Sequence, residues 1–302
     1  MRIGVAATPE VAIPTLDWLI ASEHELVMVI TQPDKPAGRG RTMHQSVVAD
    51  WALARDIRVV KPTSSADLVG VIDDLDCVVT IGYGVLLPQH ILDLPKYGFI
   101  NLHFSLLPAY RGAAPAQRAL QNGEAVTGVS VFQLEKGMDT GPIYSKKTVA
   151  IEPHWRSFEL LQALAQEGPA TVSDALVMIS ARQSPSAQVG PTSLAPKISK
   201  QDARLHFFHD ASTLVNAVRA FTYEPGAWCY WKEESFKITA AIALDDQQLM
   251  PGVIAEDGQR VIVGCANNTA IEILTVIPAG KKEMTAADWA RGARLNGGES
   301  FG

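Results

Sequence analysis

In the stretch "NLHFSLLPAYRG", Asn101 to Gly112, two polar side chains, Asn101 and His103, follow an apolar run and precede a turn. Side chains alternate across an extended strand, so residues two apart point to the same side. An amide and an imidazole side by side can both donate hydrogen bonds to an oxygen that becomes negative, as acyl transfer through a tetrahedral intermediate requires. That chemistry also needs a group to take a proton. Asp139 in "EKGMDTGPI" is the candidate carboxylate, because Gly137 and Gly141 flank it and mark a tight loop after the apolar segment "GVSVFQLEK". On the residues alone a blander reading stays open: Asn-x-His as a strand end satisfied by local hydrogen bonds, and Asp139 as an ordinary turn residue.

The elements that must position these residues can be read from the apolar pattern. "RIGVAAT", "ELVMVIT", "RVVKP", "CVVTIGY", "GFINLHF" and "GVSVFQLEK" read as strands. Helical patterns in "EVAIPTLDWLIAS", "SVVADWALARD" and "PAQRALQNG" come between them. This alternation implies an α/β fold, a Rossmann-like and mostly parallel sheet covered by helices on both faces. Ligands of such sheets sit outside the carboxyl ends of the strands, which is where Asn101 and His103 fall, and the strand leading to Asp139 is expected beside theirs.

A helix from about Ser157 to Ala181 closes this unit, giving a first domain over residues 1–181. Residues 182–203, rich in Ser, Pro, Gln and Ala, read as a linker. A second domain over 204–302 holds one amphipathic helix, "DASTLVNAVRAF", with Asp210 as N-cap. Five short strands follow, with turn signals at Asp257-Gly258 and Asn267-Asn268, then a final short helix capped by Thr285. The pattern suggests a small antiparallel β-barrel of the OB type.

Composition limits the function classes. The chain has 302 residues, is 47% apolar and 19% charged, and carries a net charge of -6, which argues weakly against a chain that coats nucleic acid over its whole surface and leaves room for a local basic patch, so any nucleic-acid contact must be local. From Gln201 to Gly302 there are 9 Lys and Arg against 13 Asp and Glu, so the second domain is not a basic module either. Cys77, Cys229 and Cys265 lie far apart in apolar contexts and read as core thiols. His154, His206 and His209 lack metal-ligand spacing and are expected at the surface. The start of the chain lacks a signal-peptide pattern and no long apolar run occurs, so a cytoplasmic location is expected. The connection from Thr31 to Gln45, "TQPDKPAGRGRTMHQ", is long for a βα loop, and Lys35, Arg39 and Arg41 are spaced along it to follow a phosphate backbone. Composition alone favours an exposed loop that binds nothing.

Taken together, "NLHFSLLPAYRGAAPAQRAL" and "GMDTGPI" resemble the 10-formyltetrahydrofolate-dependent formyltransferases. The likeness extends through "MRIGVAATPEVAIPTL", "TQPDKPAGRGR", "GYGVLLP", "FTYEPGAW" and "PAGKKEM", nearly the full chain, and within the family it points to members that formylate methionine on initiator tRNA. It implies Asn101, His103 and Asp139 as the catalytic set, with Asn101 and His103 holding the oxyanion and Asp139 favouring the imidazolium and moving the amine proton. The resemblance places Ser105, Leu106, Leu107 and Pro108 against the folate. Phe104 and Ala109 depart from the family, which usually has a small residue and a basic residue there. The co-substrate implied is 10-formyltetrahydrofolate, with no metal, and the partner is initiator methionyl-tRNA, met by a monomer. The resemblance assigns the loop with Lys35, Arg39 and Arg41 to the acceptor stem. Lys197, Lys200, Lys281 and Lys282 are weaker candidates for the tRNA backbone. Two rivals are a formyltransferase acting on a small amine such as an amino sugar nucleotide, and a folate- or nucleotide-binding module without catalysis. The second is weakened by "GVAATPEVA", which lacks the GxGxxG spacing.

Overall fold

Apolar runs without polar interruption make the central strands, because a parallel sheet covered on both faces buries every side chain it carries. In the computed structural model, which describes residues 1–37, 42–295 and 297–302, the first strand β1 (Arg2–Ala7) is buried from Ile3 onward. The helix α1 (Ile13–Ala21) carries a proline in its first turn and leads to β2 (Glu25–Ile30). In the long connection β3 (Lys35–Ala37) pairs antiparallel with β4 (Thr42–His44). Helix α2 (Val47–Leu53) starts at Ser46, whose hydroxyl accepts from the Ala49 N–H and so satisfies one of the amides left over at a helix start. After β5 (Arg58–Val60) come β6 (Cys77–Ile81), buried at every position, the short α3 (Gln89–Leu92) and β7 (Phe99–His103).

The chain continues through β8 (Arg111–Gly112), α4 (Pro115–Gln121), β9 (Val126–Gln133), β10 (Ile143–Ala150), α5 (Ser157–Ser180) and β11 (Leu194–Ala195). The main sheet runs β10-β9-β7-β6-β1-β2-β5. Its five strands from β7 to β5 are parallel, and β9 and β10 are added antiparallel at one edge. The chain goes outward from β1 to β2 and β5, then returns to β6 on the other side of β1. The topological switch therefore lies between β1 and β6, where this sheet type opens a crevice at its carboxyl edge. Cys77 lies in this buried layer, and burial pushes its thiol up to about 12.

Helix α6 (Ala211–Phe221) begins at Asp210, which accepts from the Thr213 N–H, as the sequence indicates. The strands β12 (Trp228–Trp231), β13 (Glu234–Leu244), β14 (Ile254–Asp257), β15 (Arg260–Gly264) and β16 (Ala270–Ile277) form an antiparallel sheet in the order β12-β13-β16-β15-β14. The short β17 (Met284–Thr285) pairs with β16, and α7 (Ala286–Ala293) follows from its Thr285 cap. Residues at the chain end join the two outer strands. Gly302 exchanges both backbone hydrogen bonds with Tyr230, the Phe301 N–H donates to Gly252, and the Ile254 N–H donates to Glu299. These links close the open sheet toward a barrel around Phe236, Trp289 and Phe301, whose rings pack within 4.7–5.7 Å of one another.

The residues divide into two units. One holds Met1–Pro115, Val126–Ala150 and Leu161–Pro196; the other holds Ala116–Ala125, Ile151–Leu160 and Lys197–Gly302. The stretch expected as a linker is thus shared out at Pro196. Among the described residues no helix is long and apolar enough to cross a membrane.

Candidate active site

Asn101 and His103 occupy the last turns of the β7 pleat, between β6 and β9. The Asn101 amide donates to the Thr80 hydroxyl at 2.7 Å, and that hydroxyl donates to the Ile100 carbonyl at 3.1 Å. One Asn101 N–H is thereby fixed by the neighbouring strand, and the geminal N–H is aimed by the same bond. His103 is buried, packed edge-on against Phe132 at 6.2 Å between ring centres. Its Nε2 lies 2.9 Å from the Tyr110 carbonyl, which can only accept, so Nε2 carries the proton in the neutral ring and Nδ1 is left as a base.

Asp139 faces that base. Its Oδ2 is 3.8 Å from Nδ1 of His103, and the same oxygen accepts from the Gly112 N–H at 2.7 Å. Asp139 has a φ of 51°, the left-handed region that Asp and Asn tolerate better than most residues. The flanking Gly141 is required by close approach, since a Cβ there would lie 1.8 Å from the Gln133 carbonyl oxygen. Gly112 is required twice over, by a φ of 129° and by an Ala195 carbonyl oxygen 2.6 Å from where a Cβ would stand. Burial pushes the His103 imidazole below its ordinary range, while the Asp139 carboxylate and the Tyr110 carbonyl pull it back in part. The ring is therefore neutral near pH 7. The Asp139 carboxylate favours the imidazolium, but desolvation outweighs that pull from 3.8 Å away.

The segment expected against the folate is mostly internal scaffold. Ser105 is fully buried and donates to the Ala109 carbonyl at 2.6 Å. The Leu107 N–H donates to Ser130, whose hydroxyl donates in turn to the Ser105 carbonyl, and the Leu107 side chain packs with Phe132 and Ile143. Pro108 is buried as well, and Leu106 alone of the four is half-exposed. Phe104 fills buried space. On the next strand's loop, Val85 and Leu86 are exposed at the same carboxyl edge of the sheet.

Of the expected tRNA contacts, Lys35 lies on β3 and its ammonium donates to Gln32. Arg39 and Arg41 lie outside the described residues. Lys197, Lys200, Lys281 and Lys282 are exposed in the second unit, with the Lys200 ammonium 5.1 Å above the Trp228 ring. Lys281 also borders a cavity of about 440 Å³ beside Trp231 and Trp289.

A family model for formyl transferase matches residues 1–176, and one for the formyl transferase C-terminal domain matches residues 197–294. The chain belongs to the formyl transferase family. Among its relatives, a methionyl-tRNA formyltransferase of Salinispora tropica is 42% identical over 308 residues, covering 99% of each chain. One of Thermobifida fusca is 43% identical over 311 residues, covering 100% of this chain and 99% of its own. In fold, this formyl transferase resembles the N-formyltransferase from Helicobacter canadensis solved with folinic acid and dTDP-3-aminofucose. That likeness has a TM-score of 0.68 at 17% identity, over 90% of this chain and 98% of the other.

Two supports of the site in this formyl transferase escape sequence reasoning. The signal that could have marked Thr80 is its hydroxyl within the otherwise apolar, buried strand "CVVTI". Gln188 has no such signal, since it stands in a stretch with no periodicity. In the structure its amide donates to the carbonyls of Asp139 and Gly141, both at 2.8 Å. Thr80→Val should lower kcat by about fivefold with KM nearly unchanged, because it removes the acceptor that aims the Asn101 amide, a hydrogen bond worth roughly 1 kcal/mol. Steady-state kinetics alongside thermal unfolding would separate this from a loss of fold.

Proposed function

We propose that the protein transfers the formyl group of 10-formyltetrahydrofolate to the α-amine of methionine esterified to initiator tRNA. The observation that carries the chemistry is the placing of Asn101, His103 and Asp139 at adjoining strand and loop ends. Likeness along the whole chain to relatives named for methionyl-tRNA supports the acceptor.

The amine attacks the formyl carbon, and the carbonyl electron pair moves onto oxygen. The Asn101 N–H that Thr80 does not take is the donor best placed for that oxyanion. Both ring nitrogens of His103 are turned elsewhere, to the Tyr110 carbonyl and to Asp139, which fits proton handling better than a second oxyanion donor. The attacking nitrogen becomes cationic and gives a proton to Asp139, with the Nδ1 base of His103 beside it to share the load. Collapse of the intermediate breaks the bond to the folate nitrogen, which leaves with a proton returned from the pair. One C–N bond forms and one breaks, and the proton passes from amine to folate. The half-exposed Leu106, with Val85 and Leu86 on the neighbouring loop, offers apolar surface for the folate at the strand ends. A translation enzyme of this kind would work in the cytoplasm.

Protonating Nδ1 of His103 removes one of the pair's two proton acceptors and makes the Asp139 carboxylate, now beside a cation, a poorer base. At saturating substrates kcat should therefore fall on acidification with a midpoint below 6.5, the ordinary imidazole value, since burial lowers this ring's pKa. An acid midpoint above 6.5 in the kcat profile would remove neutral His103 from the mechanism. The acceptor is tested by competition. Charged initiator tRNA and a 3-amino sugar nucleotide are offered together with 10-formyltetrahydrofolate, and the products are weighed by mass spectrometry. Formyl on methionine supports this reading, and formyl on the sugar amine in preference supports the small-acceptor rival.

A further inference from the structure

The stretch 183–196 carries no secondary structure beyond two residues of β11 and a single bridge at Ser186, yet it touches each arm of the site. Ser186 exchanges both backbone hydrogen bonds with Ile143 at the start of β10. Two residues on, the Gln188 amide spends both hydrogens, one on the Asp139 carbonyl and one on the Gly141 carbonyl. Its oxygen accepts from Arg111 through Nε at 3.1 Å and Nη2 at 2.6 Å. Ser193 then accepts the Tyr110 N–H on its hydroxyl at 2.9 Å, and Leu194–Ala195 pair with Arg111–Gly112. Tyr110 gives the carbonyl that holds His103, and Gly112 the N–H that holds the Asp139 carboxylate.

Asp139 sits in a left-handed turn that its own side chain does little to fix, since its carboxylate points to Gly112 and His103. The two Gln188 bonds fall on either side of Thr140 and pin that turn from outside. We propose that Gln188 is a positioning residue that sets Asp139 against His103, which makes the stretch 183–196 part of the catalytic apparatus. This rests on the proposed function for the role of Asp139, and it goes beyond it in assigning Gln188 and the segment that carries it.

Asp139 is the charged group that faces His103, and Phe132 and the Tyr110 carbonyl are its other neighbours described above. If Asp139 moves away, His103 loses the pull that offsets part of its burial. Gln188→Met keeps the side-chain volume and loses all four hydrogen bonds. Gln188→Glu keeps the acceptor for Arg111 and, as a carboxylate, lacks the two donors. The His103 ring titration is followed by NMR in the full-length protein, and kcat and the folate KM are measured for each variant.

The expected results are a downward shift of the His103 pKa in Gln188→Met, in the same direction as in Asp139→Asn, and a fall in kcat of about tenfold or more with little change in the folate KM. Gln188→Glu should not restore kcat. In the double variant Asp139→Asn/Gln188→Met the loss should be no greater than in Asp139→Asn alone, since one residue acts through the other. An unmoved His103 titration, rescue of kcat by Gln188→Glu, or additive losses in the double variant would each overturn the inference. The titration needs no acceptor, so it reads the placing of Asp139 even if the tRNA assignment fails.

Discussion

Asp139→Asn lowers kcat for formyl transfer by a factor on the order of hundreds or more and leaves the folded protein nearly as stable as before. The substitution is close to isosteric, and Asn is among the residues best suited to a φ of 51°. Its side-chain oxygen can still accept from the Gly112 N–H, and the Gln188 bonds go to main-chain carbonyls that the change does not touch. Only the charge and the basicity are lost. The cationic amine then has no carboxylate to take its proton, and His103, without its charged neighbour, becomes a weaker base still. Turnover measured beside thermal unfolding and folate binding checks this, and near wild-type turnover would remove Asp139 from the mechanism.

Asn101→Ala is the second large effect, a loss of roughly 3 kcal/mol in transition-state stabilisation, or about two orders of magnitude in kcat. The amide is held by Thr80 before any substrate arrives, so its deletion removes a donor already aimed and leaves the Thr80 hydroxyl without the hydrogen bond it accepted. His103→Ala should cost a similar amount by another route, the loss of the base beside Asp139. The double variant should lose less than the sum of the two, because both residues serve one intermediate. Strict additivity in presteady-state rates would mean that the two act in separate steps.

The first unit was legible where burial is complete. A strand covered on both faces must be apolar throughout, so "RIGVAA" and "CVVTI" could be read directly, and the polar residues that end "FINLH" stood out against that background. The strand β10 was not visible. It is an edge strand with exposed Lys146 and Lys147, and its sequence "IYSKKTVA" has neither an apolar run nor strict alternation. The closing contacts of residues 299–302 were hidden for a related reason, since they are backbone bonds made by a segment containing Gly and Ser.

The site was legible as a set of residue types and only partly as an arrangement. Spacing placed Asn101 and His103 on one side of a strand, and glycines marked the Asp139 turn. What periodicity could not carry was Gln188, which reaches back 49 residues to Asp139 with a side-chain amide. A polar stretch rich in Ser and Pro reads as a connection because such residues satisfy themselves in water. Here Gln188 and Ser193 spend their polar groups on the main chain of the site, a choice that only the fold reveals. The charge state of His103 was likewise beyond the sequence, because it depends on burial outweighing a neighbouring carboxylate.

The central claim is that these side chains move a formyl group from folate nitrogen to the methionine amine, and isotope transfer tests it most directly. 10-Formyltetrahydrofolate labelled with carbon-13 in the formyl group is mixed with enzyme and charged initiator tRNA, and both products are followed by mass spectrometry. The account predicts labelled N-formylmethionine on the tRNA in step with tetrahydrofolate, at a rate that collapses in Asp139→Asn. Label released as formate without reaching methionine, or transfer that proceeds equally well in Asp139→Asn, would contradict it.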